Sequence, residues 1–145
     1  MENCKGSSEV LAEIYRNAQL AQQSISDILP EIEDEGIREE VMRQHEEYEK
    51  VCSQAAHLAM QSGAELKEPG PVKKAMMWSA IKMNTMADNS AQHIAQLMVR
   101  GTVMGITSLK TTLSDSACTD GEVCDLLKKL IAMEEQFEEQ LKKFL

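Results

Sequence analysis

Apolar residues at helical spacing are the feature that most constrains the fold of this chain. In the first such segment they recur in steps of four and three residues, which places them on one face of an α-helix. These residues are Val10, Ile14, Ala18, Ala21, Ile25 and Ile28. Similar stripes recur along the 145 residues, and no useful stretch shows the period of two that is typical of a β-strand. The pattern predicts an all-α protein.

Proline, glycine and capping residues divide the stripes into five predicted helices. Pro30 is expected to end the first helix, Asp34 to cap the second, and Gly63 to stop it. Asn89 or Ser90 is expected to cap a later helix. The predicted helices span residues 8–29, 34–62, 71–87, 90–113 and 120–144, and residues 1–7 are expected to be disordered. The alternative for the middle of the chain is one kinked helix from 71 to 113.

Four of the predicted helices are long and amphipathic, with short connections between them. This arrangement is typical of an antiparallel up-down four-helix bundle. The short helix at 71–87 is then an addition before the fourth helix at 90–113. A chain of 145 residues is large enough to bury one core, so we predict a single domain over residues 1–145.

Two glycines lie four residues apart within the segment "RGTVMGITS", where the pattern predicts helix. Glycine in a helix interior costs about 1 kcal/mol relative to alanine, so a compensating role is expected. Small residues at this spacing let a neighbouring helix approach closely. We therefore interpret Gly101 and Gly105 as a helix-packing groove. Its occupant is another helix of the same bundle, a second copy of the chain, or a small ligand.

Inward carboxylates and histidines of a four-helix bundle can hold two iron or manganese ions. The usual ligands are a Glu from each of two helices and Glu-x-x-His from each of the other two. That spacing is absent: Met42 stands three residues before His45, and Phe137 stands three residues after Glu134. We therefore predict no cofactor, no metal site and no catalytic residue, with iron or manganese as the alternative. The weak metal candidates are His45, Glu49, His93 and Glu134.

The charge of the chain limits its partners. Formal net charge is −9, which disfavours nucleic acid because phosphate binding needs a basic surface. Residues 72–113 carry 1 acid and 5 bases, whereas residues 1–71 carry 15 acids and 6 bases. The opposite signs are interpreted as complementary packing of helices, with a patch for an anionic partner as the alternative. The expected partners are a second copy of the chain or a basic protein.

Neither a signal peptide nor a membrane span is visible in the sequence. The N-terminal "MENCKGSSEV" lacks an apolar core region, and no stretch approaches the ~18 apolar residues of a transmembrane helix. We therefore expect no membrane partner and a cytoplasmic location. The four cysteines form no CxxC pair, and in that location they are expected to be reduced. Cys52 lies on an apolar face and is interpreted as a small core residue.

Two segments, "EEVMRQHEEYEKVCSQAAHLA" and "DNSAQHIAQLMVRGTVMGITSLK", resemble uncharacterised bacterial proteins of the ferritin-like superfamily. The resemblance implies a small helical bundle with an added short helix before the fourth. It implies no activity, and the metal ligands of the superfamily do not carry over, because Met42 and Phe137 occupy the relevant positions. We therefore predict a bacterial, non-catalytic module with a binding or structural role. The alternative is a degenerate metal-binding oxidoreductase.

Overall fold

The computed structural model of the protein describes residues 6–67, 88–116 and 121–145. All regular elements of these three ranges are helical. They are α1 (Ser7–Ile28), a short 3-10 turn (Leu29–Glu31), α2 (Glu35–Ser62), α3 (Ala91–Asp115) and α4 (Glu122–Lys142). The all-α prediction is confirmed for these ranges. The predicted short helix at 71–87 and the choice between one kinked helix and two lie outside the described residues, as does most of the predicted disordered N-terminus.

Local signals in the sequence explain where most of these helices begin and end. Asp34 caps α2 by accepting a hydrogen bond from the Ile37 amide at 3.0 Å. Ser90, rather than Asn89, caps α3. Gly63 ends α2 with a φ of 75°, a left-handed conformation that glycine adopts without a Cβ clash. The N-terminus of α1 differs from expectation, because Gly6 is its N-cap residue and the helix begins at Ser7.

The core is built from the predicted stripes of all four helices. Each stripe residue that becomes inaccessible to water contributes about 25 cal/mol per Å² of buried apolar surface. Ile14, Ile37, Ile94 and Leu130 are fully buried representatives from α1, α2, α3 and α4. Cys52 is also buried, as expected for a small core residue. Among the described residues, no helix combines the length and the apolar character needed to cross a membrane.

Contacts between α1 and α2, and between α2 and α4, show how these helices run relative to each other. Along α1, Gln22 contacts Cys52 and the later Ser26 contacts the earlier His45. The two helices are therefore antiparallel. Helices α2 and α4 are also antiparallel, because Gly36 lies near Phe144 whereas the later Tyr48 bonds the earlier Glu134.

The third contacting pair corrects the predicted connectivity. Asn17 of α1 contacts Gly105, and Glu31, just after α1, accepts a hydrogen bond from Asn89, just before α3. Helix α3 is thus antiparallel to α1 and runs in the same direction as α2. Strict up-down alternation therefore does not hold among the four described helices. The sequence between Gly63 and Ser90 is long enough to return along a bundle whose 28-residue helix α2 spans about 42 Å.

Candidate functional site

A carboxylate is buried where the four helices meet. Glu134 lies on the apolar stripe of α4 and is only 2 % exposed. The hydroxyl of Tyr48, from the facing stripe of α2, donates a hydrogen bond of 2.7 Å to Glu134 Oε2. A buried charge is costly unless other groups pair with it or hydrogen-bond to it. Glu134 is therefore a residue of the core and not of the surface of α4.

Helices α1 and α3 complete the surroundings of this carboxylate. Gly105 of α3 lies so close that a Cβ atom there would be 2.8 Å from Glu134 Oε1 and 3.1 Å from Asn17 Nδ2. The Asn17 amide, from α1, donates a long hydrogen bond of 3.5 Å to the Gly105 carbonyl oxygen. We call Asn17, Tyr48, Gly105 and Glu134 the polar centre. Each of the four helices contributes one of its members.

Two atoms of the polar centre are buried without a hydrogen-bond partner among the described residues. They are Glu134 Oε1 and Asn17 Oδ1. Both are oxygens: the amide oxygen can only accept a hydrogen bond, and so can the carboxylate oxygen when it is ionised. A buried polar atom left without a partner costs about 1–3 kcal/mol. The polar centre therefore contains two acceptor oxygens for which no described residue supplies a donor.

The surroundings change the acidity of both titratable groups in the polar centre. Burial raises the pKa of Glu134 to about 7, and the hydrogen bond from Tyr48 opposes this increase. Burial, followed by the charge of Glu134 and the hydrogen bond to it, raises the pKa of Tyr48 well above its usual value. Tyr48 therefore stays protonated and donates. Glu134 changes its charge near neutral pH.

An aromatic contact holds Tyr48 against α4. The rings of Tyr48 and Phe137 meet edge to face, with centroids 5.4 Å apart and planes at 68°. The guanidinium of Arg43 lies 5.7 Å from the centroid of the Phe137 ring, a geometry favourable for a cation–π interaction. Phe137 therefore fixes the ring that carries the donating hydroxyl. It does so at the position where a Glu-x-x-His motif would place a ligand.

The structure does not bring the four weak metal candidates together as one site. Only Glu134 lies in the polar centre. His45 is half-buried with Nε2 at 3.4 Å from Ser26 Oγ, and Glu49 is exposed. His93 lies in the first turn of α3, beyond its Ser90 cap. Across the three described ranges, no group of three or more His, Cys, Asp and Glu side chains is placed to hold a metal ion.

The two glycines of the predicted packing groove have different surroundings. The missing side chain of Gly105 leaves room for the side chains of Glu134 and Asn17. Gly101 is exposed, and no described residue comes within 4 Å of the position of its Cβ. Packing among the described helices therefore accounts for Gly105 and does not account for Gly101.

Of the two described cysteines, Cys52 agrees with expectation and Cys124 does not. Cys52 is a free thiol that donates a hydrogen bond of 3.1 Å to Gln22 Oε1, and burial raises its pKa to about 11. Cys124, in contrast, is disulfide-bonded, with its partner outside the described residues. The prediction that all four cysteines are reduced is therefore wrong. Sequence spacing does not show which cysteines come within the short distance that a disulfide requires.

Asn17 and the donating role of Tyr48 have no counterpart among the predicted site residues. The role of Tyr48 could have been inferred from the sequence. It is the one residue of the apolar stripe of α2 with a hydroxyl group, and a buried hydroxyl needs a hydrogen-bond partner. Asn17 stands next to the stripe residue Ala18, and nothing in the stripe pattern distinguishes it from a surface amide.

Comparison with known proteins gives no further assignment. No family model, no curated protein and no solved structure matches this chain.

Proposed function

We propose that this protein is a non-catalytic helical-bundle module with a binding or structural role. The observation that carries the proposal is the composition of the polar centre. Its four members offer one carboxylate, one tyrosine hydroxyl, one amide and a backbone carbonyl. Tyr48 stays protonated and Asn17 and Gly105 have no charge, so this set brings α1, α2, α3 and α4 into contact without supplying an acid–base pair.

The rival proposal, a degenerate metal-binding oxidoreductase, fits these residues poorly. Two divalent ions carry four positive charges, and metal-binding bundles of this kind offset them with several carboxylates. Glu134 provides at most one negative charge, and Phe137 fills the neighbouring position with an aromatic ring. The residues present at the bundle centre therefore do not fit a two-metal site, and we derive no reaction through one.

The order of the helices supports the proposed ferritin-like architecture. Ferritin-like bundles differ from simple up-down bundles by one long crossover connection. Among the described helices, α2 and α3 run in the same direction, and the interval between them is the longest between any two consecutive helices. This agrees with the resemblance noted from the sequence. We therefore propose a ferritin-like bundle whose central residues have been replaced by a tyrosine–carboxylate contact.

The outer face of α3 supports self-association as the binding role. Gly101 and Met104 lie one helical turn apart on this face, and Met104 is 73 % exposed. Helix α3 carries only one acid and two bases, whereas α4 carries six acids and three bases. Two copies of an acidic protein repel each other least where they carry little charge. A second copy is therefore the proposed occupant, ahead of a basic protein partner.

Metal analysis tests the choice between the two functions. The protein is purified without a chelator, and its iron and manganese contents are measured by mass spectrometry beside those of Glu134→Gln. We expect far less than one ion per chain in both proteins. Near-stoichiometric iron or manganese that is lost in Glu134→Gln would overturn the proposal in favour of the oxidoreductase.

Sedimentation over a range of concentrations tests the proposed self-association. Met104→Glu adds a charge to the outer face of α3 and is expected to shift the protein towards monomer. Met60→Glu is the matched control, because Met60 is 84 % exposed and lies on α2 rather than on α3. Equal sedimentation of the parent chain and both variants would exclude this interface.

A bacterial source and a cytoplasmic location remain predictions, and the disulfide at Cys124 is unusual for a reducing compartment.

A further inference from the structure

The two buried oxygens without a partner, Glu134 Oε1 and Asn17 Oδ1, belong to groups that can hydrogen-bond to each other. Glu134 Oε1 lacks a donor when the carboxylate is ionised, and the same atom can become a donor when it carries a proton. Asn17 presents an amide nitrogen that donates and an amide oxygen that accepts. Its nitrogen and Glu134 Oε1 both lie near the same point, at 3.1 Å and 2.8 Å from the position a Gly105 Cβ would take.

We propose that Asn17 is a switchable partner of Glu134, and that the bundle binds and releases one proton at this contact. When Glu134 is ionised, the Asn17 nitrogen, which donates to the Gly105 carbonyl oxygen at 3.5 Å in this structure, turns to donate to Oε1 instead. When Glu134 takes a proton from solvent, Oε1–H donates to the Asn17 oxygen, which a half-turn of the amide brings into place. Each state satisfies Glu134 Oε1, and the protonated state also satisfies Asn17 Oδ1. This proton-linked contact goes beyond the proposed binding or structural role.

The backbone at Gly105 makes this exchange possible. A side chain there would occupy the space in which the carboxylate and the amide meet. Tyr48 holds Oε2 in both states, so only Oε1 has to change its partner. The proton therefore alters the contact of Glu134 with α1 while leaving its contact with α2 in place. Proton binding therefore changes the hydrogen bonds that link α1 to α3 and α4.

Among the described residues, no ion pair is formed with Glu134, and burial and the hydrogen bond from Tyr48 are the causes that act on its pKa. Tyr48 is the titratable group that contacts it from α2, and the α1 and α3 members of the polar centre are uncharged. Three cations on the same helices form ion pairs with other carboxylates. Arg16 pairs with Glu13, Arg43 with Glu40 and Lys110 with Glu135. Burial and the hydrogen bonds described above are therefore the main controls on this proton.

Nuclear magnetic resonance of the full chain tests the proposal directly. The side-chain carboxyl carbon of Glu134 and the side-chain amide of Asn17 are followed between about pH 5 and about pH 8. Their signals are assigned by their loss in Glu134→Gln and Asn17→Leu. We expect both groups to shift with one midpoint near pH 7, the pKa that burial gives Glu134. In Glu134→Gln, the Asn17 amide signal is expected to stay constant over this range.

The outcomes separate the switch from a buried carboxyl that titrates alone. A Glu134 signal that titrates while the Asn17 amide stays constant would overturn the proposal, as would a Glu134 signal that does not titrate in this range. Glu135→Gln is the matched control, because Glu135 is half-exposed on the same helix and pairs with Lys110. It should leave the shared midpoint unchanged. If Glu134→Gln fails to fold, coincident or separate midpoints in the parent chain still decide the question.

Discussion

Gly101 and Gly105 lie on the same helix, one turn apart, and have opposite surroundings. Gly105 touches the polar centre, where even a Cβ atom would crowd Glu134 Oε1 at 2.8 Å. Gly101 is exposed, with open space among the described residues where its Cβ would be. Two small residues four apart therefore need not share one packing role. One glycine makes room inside the bundle, and the other lowers the helix propensity of α3 without an internal contact to offset it.

The largest expected effect is that of Gly105→Leu. The new side chain would have to displace Glu134 or Asn17 from the polar centre, and overpacking of a well-filled core costs about 3 kcal/mol. We expect the free energy of unfolding, measured in urea, to fall by that amount. The comparison variant is Gly101→Leu, which should show no such loss. A similar loss from both variants would mean that Gly101 also faces an internal contact.

The free energy of unfolding should depend on pH, because Glu134 is buried beside Gly105. Burial raises its folded-state pKa from 4.5 to about 7, so the folded protein binds the proton more tightly than the unfolded chain. The resulting stability is complete below pH 4.5 and is lost as pH rises through about 7. A shift of this size corresponds to a loss of up to about 3 kcal/mol.

The measurement is the difference in unfolding free energy between Glu134→Gln and the parent chain at several pH values. The glutamine cannot ionise, so this difference should grow as pH rises through the window. Glu135→Gln serves as the control for removing a charge from the exposed part of α4. A difference that stays flat with pH would show that Glu134 does not titrate as a buried group.

Tyr48→Phe should have a smaller effect. The variant removes the hydroxyl that donates to Glu134 Oε2 and keeps the ring that packs edge to face on Phe137. Leaving the buried oxygen without its donor is expected to cost about 1–3 kcal/mol, with the larger cost above pH 7, where Glu134 is charged. Urea unfolding at two pH values measures it. Tyr15→Phe removes the same atom from a half-buried tyrosine on α1, and equal losses would argue against a special role for Tyr48.

The sequence predicted the described helices well because their signals are local. Spacing of apolar residues placed the stripes, and Asp34, Gly63 and Ser90 act as the caps or stops that their chemistry suggests. The direction of α3 could not be predicted in this way. It depends on the path of the chain between Gly63 and Ser90, and no periodic pattern records that path.

The polar centre was predictable only in part. Glu134 stands on an apolar stripe, so its inward position could be proposed from the sequence. Asn17 lies beside a stripe, and it reaches the polar centre because of how α1 is rotated about its own axis. Residues four apart on a helix differ by only about 40° around its axis. That small angle decides that Gly105 faces Glu134 while Gly101 faces outward. The sequence pattern does not resolve rotations of this size.

The smallest expected effect is that of Gly101→Leu, and its sign is opposite to that of the same change at Gly105. With open space around the position, the substitution should raise stability by up to about 0.8 kcal/mol through helix propensity alone. Urea unfolding at low protein concentration measures this gain. If the outer face of α3 joins two copies, the same leucine should weaken the dimer while it stabilises the monomer. Sedimentation of the same samples separates these effects, because helix propensity acts within one chain and a blocked interface depends on concentration.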